Sequence, residues 1–208
     1  MKQIPIETIF FFPKGEYKLE DLGSGQIDMR VGQLLQALVQ VTKEDATILE
    51  IGAGLSTKYI ASCLEKRTFY TCDLHWKGTG KTPDNFHIIP HSSQILLREW
   101  NNPITERERN IKLDLLWIDG DHSYKGCMND LGFTKFLVTG GFLLVHDAYN
   151  AGVPGVKAAC DEMVTPDKYH IYQAVGGLWK EGNVLLTNYE GDLTHKPDPL
   201  CCLFAVKK

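Results

Sequence analysis

The sequence predicts an α/β fold in which a mostly parallel sheet of seven strands is covered by helices on both faces. Short apolar runs that end at a glycine or an acid alternate five times with segments of helical periodicity. Such alternation is typical of strand–helix–strand units, which build parallel sheets. Two later segments, 169–175 and 184–187, are joined by a tight turn, which can connect only antiparallel strands. The sheet is therefore expected to close with a C-terminal antiparallel hairpin.

The individual elements follow from the spacing of apolar residues. A first helix begins near Asp28, because Val31, Leu34, Leu38 and Val41 recur at intervals of three and four. Continuous apolar runs before a glycine or an acid are typical of buried parallel strands. Further strands are expected at 47–51, 68–72, 87–89, 113–118 and 142–145, and further helices at 56–64, 93–100, 124–138 and 156–164.

The chain is expected to hold one domain between two irregular segments. Residues 28–190 carry the alternating pattern, whereas residues 1–27 form an extension rich in glycine, proline and aromatic residues. The aromatic residues of the extension are compatible with packing onto the domain or with lining a substrate pocket. Residues 191–208 form a tail with no clear element, and its apolar part is compatible with docking on the domain or on a second copy of the chain. A homo-oligomer is therefore one expected state.

Composition argues against several classes of function. The 208 residues carry a net charge of −4 with a pI of about 6.0, whereas binding along a nucleic-acid backbone needs a basic surface. No apolar stretch is long enough to serve as a signal sequence or a membrane span. The six cysteines are scattered and form no C-x-x-C pair, which favours reduced thiols in a cytoplasmic protein.

The residues after the first two strands predict a site for an adenosine-type ligand. The first strand leads into Glu50-Ile51-Gly52-Ala53-Gly54-Leu55-Ser56, where glycines allow a tight turn close to a ligand. Asp73 ends the next strand about 20 residues later, the place where an acid accepts hydrogen bonds from ribose hydroxyls. A G-x-G turn alone is weak evidence, and the acid at this spacing strengthens it.

Two features bear on which adenosine-type ligand binds. Thr57 stands where the dinucleotide pattern has a third glycine, which weakens the prediction of NAD without excluding it. Glu50 suits S-adenosylmethionine (SAM), whose amino group needs a negative partner. We keep an NAD-linked oxidoreductase as the alternative enzyme.

Two motifs carry a resemblance to a known family. The segment LEIGAGLST resembles the first SAM-binding motif of class I methyltransferases, which have a Rossmann-like fold. The later pair DGDHSY and GGFLLVHD is similar to a branch of metal-dependent O-methyltransferases that act on macrolide and antibiotic sugars. The resemblance covers roughly residues 28–187. It implies cofactor contacts by Glu50, Gly52, Ala53, Gly54, Ser56, Asp73, His91, Ser92 and Asp119.

Two acids that follow successive strands predict a metal site. If the strands ending at Asp119 and Asp147 are neighbours, both carboxylates enter one crevice, where they repel each other unless a cation lies between them. Oxygen ligands favour Mg²⁺, and the adjacent His146 would also accept Mn²⁺. The metal-dependent relatives usually have two adjacent acids, or an acid with Asn, after the second of these strands, where this chain has His146-Asp147. A ligand set of Asp119, His146 and Asp147 is the prediction.

The loop after Asp119 offers two candidates for the catalytic base. His122 titrates near neutrality and could accept a hydroxyl proton, and Asp121 is the second candidate. The competing interpretation is that either residue caps the following helix. The expected activity is O-methylation of a small hydroxylated substrate, such as a sugar or another natural product. A non-catalytic SAM-binding module is the third hypothesis.

Overall fold

A computed structural model describes residue 27 and residues 29–75, 83–102, 111–175, 185–188 and 202–208. Apart from residue 27, the predicted N-terminal extension lies outside these ranges, and so does most of the predicted tail. The described strands are β1 Thr47–Ile51, β2 Thr68–Cys72, β3 Phe86–Ile89, β4 Leu113–Ile118, β5 Leu137–Val145, β6 Tyr169–Val175, β7 Leu185–Asn188 and β8 Cys202–Lys207. The helices are α1 Met29–Val41, α2 Leu55–Ala61, α3 Ser93–Trp100, α4 Tyr124–Leu131 and α5 Pro154–Met163.

The strands form one sheet in the order β3-β2-β1-β4-β5-β8-β6-β7. The five strands from β3 to β5 are parallel, β8 runs antiparallel to both β5 and β6, and β7 is antiparallel to β6. The predicted fold class, a mostly parallel Rossmann-like sheet with an antiparallel hairpin, is confirmed. None of the helices in the described ranges is long and apolar enough to cross a membrane.

Helices cover both faces of the sheet because its central strands are apolar on both sides. Side chains alternate across a strand, so Ile48 and Leu49 enter different hydrophobic clusters. The cluster on one face includes α1 and α2 residues such as Leu34 and Ile60, and the cluster on the other includes Trp100 of α3. Both faces of the central sheet are therefore buried against helices.

One strand was missed by the sequence analysis, which expected seven strands and no element in residues 191–208. The structure places β8 between β5 and β6, with Phe204 only 4% exposed and its ring 5.5 Å from that of Tyr172 and 6.0 Å from that of Phe142. The run Cys202–Lys207 lacks polar alternation, because the strand is buried on both faces. Its position depends on pairing with the distant β5, which no local pattern reveals.

One helix is shorter than predicted. The expected helix 124–138 ends at Leu131, continues as a 3₁₀ helix at Gly132–Phe136, and passes directly into β5. The strand consequently begins at Leu137 instead of residue 142. A register shift between Leu113 and Leu115 of β4 accommodates the longer strand.

Candidate functional site

The carboxyl ends of β1, β2 and β4 meet at a turn that only glycine can form. Gly52 has φ +88°, and a Cβ on it would lie 2.0 Å from the backbone oxygen of Asp119. Its amide donates to the carbonyl of Cys72, and the Asp119 amide donates to the carbonyl of Ile51. Glycine is therefore required here both by conformation and by space. The turn holds the three strand ends together.

Glu50 lies beneath this turn and is fully buried. Its carboxylate accepts hydrogen bonds from the hydroxyls of Ser56, Thr57 and Thr71, each at 2.6 Å. Burial raises the pKa of Glu50 to about 7, although the three hydrogen bonds oppose the rise. Glu50 and Ser56 do not line the cavity formed by the described residues. Their contacts with a cofactor stay a prediction, and in this structure both residues support the turn from beneath.

Thr57 occupies the place of the third glycine and has its own structural use. Its hydroxyl donates to Glu50 and accepts from the amide of Gly54 at 3.0 Å. The side chain thereby links the turn to the first residues of α2. A glycine at this position could make neither bond.

Asp73 follows β2 and borders the cavity, as expected for an acid that accepts hydrogen bonds from a ribose. Its Oδ2 accepts from the amide of Ala53 at 2.9 Å, and its Oδ1 accepts from the amide of His75 at 2.5 Å. These bonds fix the carboxylate between the glycine turn and the residues after β2. Each carboxylate oxygen can accept a further hydrogen bond, because it has a second lone pair.

The cavity itself measures about 550 Å³, within the range of small-molecule sites. It runs from the residues after β2 and β3 to those after β4. Ser92 caps α3 by accepting from the amide of Ile95. The predicted residues that line the cavity are Gly52, Ala53, Gly54, Asp73, His91, Ser92, Asp119 and Asp121.

Next to the cavity, Asp119, His146 and Asp147 come together as predicted. Each offers one ligand atom, and these atoms lie within 4.8 Å of one another. Nδ1 of His146 lies 3.1 Å from Oδ1 of Asp119 and 3.4 Å from Oδ2 of Asp147. The arrangement arises because β4 and β5 pair in parallel and end side by side. Asp119 belongs to both this cluster and the cavity wall.

The charges of the cluster are strongly coupled. Burial lowers the pKa of His146, but its hydrogen bonds to the two carboxylates outweigh burial and raise that pKa to about 10. The hydrogen bond from His146 lowers the pKa of Asp147 to about 2. Burial raises the pKa of Asp119, yet hydrogen bonds from His122 and His146 bring it below its usual value. In the absence of a metal, a protonated His146 therefore balances the carboxylates.

The backbone of Asp147 adopts a conformation that few residues share. Its φ of +58° lies in the left-handed region, where Asp and Asn are more common than other non-glycine residues. Asn150 donates to Oδ1 of Asp147 at 3.0 Å and to its carbonyl oxygen at 3.1 Å. These contacts hold the carboxylate toward the cluster and stabilise the strained backbone.

The two candidate bases, Asp121 and His122, lie in the loop between β4 and α4 and have different partners there. Ser123 caps α4 by accepting from the amide of Gly126 at 3.0 Å, so neither Asp121 nor His122 is the capping residue. Asp121 accepts from the amide of Ser123 at 2.8 Å and faces the cavity. Nε2 of His122 lies 3.4 Å from Asp119 and 3.6 Å from Asp147, and the hydrogen bond to Asp119 raises its pKa.

Sequence reasoning missed one acid of the cavity wall. Asp130 lies on α4, is 1% exposed and borders the cavity. It shares a helix face with Cys127 and Leu131, which pack in the core. An acid among apolar residues at helical spacing was the available signal, because such an acid is rarely buried without a purpose.

Comparison with known proteins supports the resemblance stated from the motifs. A family described as a methyltransferase domain matches residues 49–148. This range contains the glycine turn, Asp73, the loop after β4 and the Asp119–His146–Asp147 cluster. The resemblance to class I methyltransferases is therefore confirmed. No curated protein matches the chain by sequence.

Two solved structures share the fold at low sequence identity. CalS11, a TDP-rhamnose 3'-O-methyltransferase of calicheamicin biosynthesis, is 14% identical with a TM-score of 0.55, covering 71% of this chain and 73% of CalS11. MycE, a methyltransferase of the mycinamycin pathway in complex with Mg, SAH and mycinamycin VI, is 14% identical with a TM-score of 0.52. That match covers 88% of this chain and 50% of MycE. At such identities the likeness establishes the fold.

Proposed function

We propose that this chain is a SAM-dependent O-methyltransferase for a small hydroxylated acceptor, assisted by a divalent metal at Asp119, His146 and Asp147. One observation carries the proposal: Asp119 is shared between the adenosine-type cavity and the carboxylate–histidine cluster. A methyl donor in the cavity and an acceptor oxygen at the cluster would therefore be neighbours. This proximity is what methyl transfer requires.

The cavity residues fit SAM. Gly52, Ala53 and Gly54 allow close approach of a ligand to the backbone, and Asp73 offers acceptors for two ribose hydroxyls. His91 and Ser92 also line the cavity, and the proposal assigns them to the base of the cofactor. When bound, SAM supplies an electrophilic methyl group, and the chain supplies alignment and exclusion of water.

The cluster fits a divalent metal of the Mg²⁺ or Mn²⁺ type. Two carboxylates and an imidazole are suitable ligands, and three protein ligands leave coordination positions for a substrate. His146 must lose a proton to become a ligand through Nδ1. A metal there would lower the pKa of an acceptor hydroxyl.

His122 is our choice for the residue that accepts the proton of the acceptor hydroxyl. Its imidazole is 39% exposed at the edge of the cluster, whereas Asp121 is bonded to the loop backbone. The carboxylates of Asp119 and Asp147 would stabilise the imidazolium that results. The activity of CalS11 as a TDP-rhamnose 3'-O-methyltransferase, together with the complex of MycE with mycinamycin VI, supports sugars and sugar-bearing natural products as the first acceptors to test.

The two alternative functions have less support. An NAD enzyme would have no evident use for a cluster of Asp119, His146 and Asp147, and Thr57 fills the place of the third glycine. A non-catalytic SAM-binding module would need the same cavity and no working cluster. The alternatives make different predictions for metal binding and for NADH.

Isothermal titration calorimetry tests the proposal. We expect S-adenosylhomocysteine to bind in the presence of EDTA. Titration with Mg²⁺ or Mn²⁺ should give a heat of binding, and Asp147→Ala should lose that heat. A panel of hydroxylated acceptors should then give metal-stimulated turnover. Absence of SAM or S-adenosylhomocysteine binding, or saturable NADH binding in its place, would overturn the proposal. Cofactor binding without metal heat or turnover would favour the binding module.

A further inference from the structure

One of the three ligand atoms in the Asp119–His146–Asp147 cluster is a nitrogen, and it lies close to both of the others. Nδ1 of His146 is 3.1 Å from Oδ1 of Asp119 and 3.4 Å from Oδ2 of Asp147. Two ligands that bind one ion at right angles, each about 2.1 Å from it, lie about 3.0 Å apart. The spacing therefore allows the imidazole and both carboxylates to bind the same small divalent ion.

The surroundings of the cluster keep this nitrogen in place. The imidazole of His146 packs beside the fully buried Trp117, with the ring centres 5.6 Å apart. Asn150 donates to Oδ1 of Asp147 at 3.0 Å, which leaves Oδ2 as the oxygen near Nδ1. The nitrogen donor is therefore a fixed part of the cluster, and any ion bound there would have to accept it.

All three ligand side chains are largely buried. The exposed fraction is 19% for Asp119, 12% for His146 and 14% for Asp147. An ion that binds all three side chains must therefore lose several of its water molecules. Mg²⁺ loses water reluctantly and usually keeps several waters in protein sites. Burial of the ligands thus disfavours Mg²⁺ relative to divalent ions that lose water more readily.

The nitrogen ligand acts in the same direction. Mg²⁺ binds oxygen ligands, whereas imidazole is a good ligand for first-row transition metals. For a site with nitrogen and oxygen ligands, affinity increases from Mn²⁺ through Fe²⁺ to Co²⁺. A site with Nδ1 of His146 among its three ligands is therefore expected to rank divalent ions differently from a site made of carboxylates alone.

We propose that His146 makes this cluster selective for first-row transition metals, such as Mn²⁺ and Co²⁺, over Mg²⁺. This inference rests on the proposed metal at Asp119, His146 and Asp147, and it names the class of ion that binds there. Each ion displaces the same proton from Nδ1, so the free energy of that displacement cancels when two ions are compared at one pH. The ratio of two affinities therefore reports the ligand set itself.

Calorimetric titration at pH 7.5 with Mg²⁺, Mn²⁺ and Co²⁺ tests the proposal. The wild type should bind Mn²⁺ at least about tenfold, and Co²⁺ at least about a hundredfold, more tightly than Mg²⁺. His146→Asp replaces the nitrogen by an oxygen and should reduce the ratio of Co²⁺ to Mg²⁺ affinity at least about tenfold. The matched control His170→Asp, which makes the same change at an exposed residue of β6, should keep the wild-type ratio.

Pulsed electron paramagnetic resonance of the Mn²⁺-loaded protein identifies the ligand directly. Magnetic coupling of Mn²⁺ to a directly bonded nitrogen should appear in the wild type and disappear in His146→Asp. If the wild type lacks this coupling, or if the variant keeps it, the assignment of His146 is overturned. The measurement on the wild type does not depend on the folding of any variant.

The outcomes separate the two proposals. If none of the three ions binds the wild type, the proposed metal-assisted function and this inference both fail. If the ions bind but Mg²⁺ binds as tightly as Mn²⁺ and Co²⁺, the selectivity is overturned and the proposed function stands. The same conclusion follows if His146→Asp keeps the wild-type ratio of affinities.

Discussion

Nδ1 of His146 lies 3.1 Å from Oδ1 of Asp119, so the side chains that follow β5 and β4 meet between the strand ends. The hydrogen bonds to the two carboxylates raise the pKa of His146 to about 10. They therefore favour a proton on Nδ1, with which a metal ion would have to compete. A proton and a divalent cation cannot both occupy Nδ1. This competition makes the cluster testable by pH.

Metal affinity should rise with pH. His146 remains protonated without metal up to about pH 10, so each ion that binds must displace about one proton. We expect apparent Mn²⁺ affinity to increase about tenfold per pH unit between about pH 6 and 8, measured by calorimetry in buffers of different ionisation heat. His146→Asn should bind more weakly and with a flatter pH dependence. An equal slope in both proteins would contradict the assignment of Nδ1 as a ligand.

His122 should control the pH dependence of methyl transfer. If it is the base, His122→Asn should lower kcat/KM by about 10² to 10⁴. The hydrogen bond to Asp119 raises its pKa above 6.5, so the wild-type rate should increase with pH through a value higher than 6.5. Steady-state rates between pH 6 and 9 check both points. Asp121→Asn is the matched comparison, and a larger loss there would transfer the role to Asp121.

Replacement of Gly52 should destabilise the fold. In Gly52→Ala the new Cβ would meet the carbonyl of Asp119 at 2.0 Å, and the φ of +88° is unfavourable for alanine. We expect a loss of about 2 kcal/mol or more in the free energy of unfolding, measured with urea. In Gly54→Ala no described atom lies within 4 Å of the new Cβ, so its stability should stay close to wild type. Similar losses in both variants would contradict the steric argument.

Glu50 should make the protein less stable as the pH rises. Its pKa is raised from 4.5 to about 7 on folding, so between these values the folded state holds a proton that the unfolded state has released. The free energy of unfolding should therefore fall by about 1.4 kcal/mol per pH unit over that window and level off above it. Glu50→Gln has no such titration. The free energies of unfolding of the wild type and of Glu50→Gln are measured with urea at pH 5 and at pH 8. The difference between the two proteins should change from one pH to the other, and an unchanged difference would contradict the prediction.

Phe204 should be essential for the central position of β8. It is 4% exposed and packs against Phe142 and Tyr172 of the neighbouring strands. Phe204→Ala is expected to lower the free energy of unfolding by about 3 to 5 kcal/mol, because it leaves a cavity between β5 and β6. Lys208→Ala, at the exposed end of the chain, is the control and should change stability little. A small loss in the free energy of unfolding of Phe204→Ala would mean that β8 contributes less to stability than its burial suggests.

The sequence by itself determined the class of fold and the edge at which the site lies. Apolar runs followed by Gly52, Asp73, Asp119 and Asp147 identified the strands, and parallel strands bring their carboxyl ends to one edge. These features are local, since each depends on residues a few positions apart. They were enough to predict the meeting of Asp119, His146 and Asp147, which the geometry bears out.

Tertiary structure alone decided the direction and surroundings of individual side chains. Glu50 accepts hydrogen bonds from three hydroxyls, Asp130 borders the cavity from within a helix, and β8 lies in the sheet beside β5. Each outcome depends on contacts between segments distant in sequence, which packing and burial select. A periodic pattern records which face of an element is apolar, whereas the partner of a buried polar atom is set by what the rest of the fold brings to it.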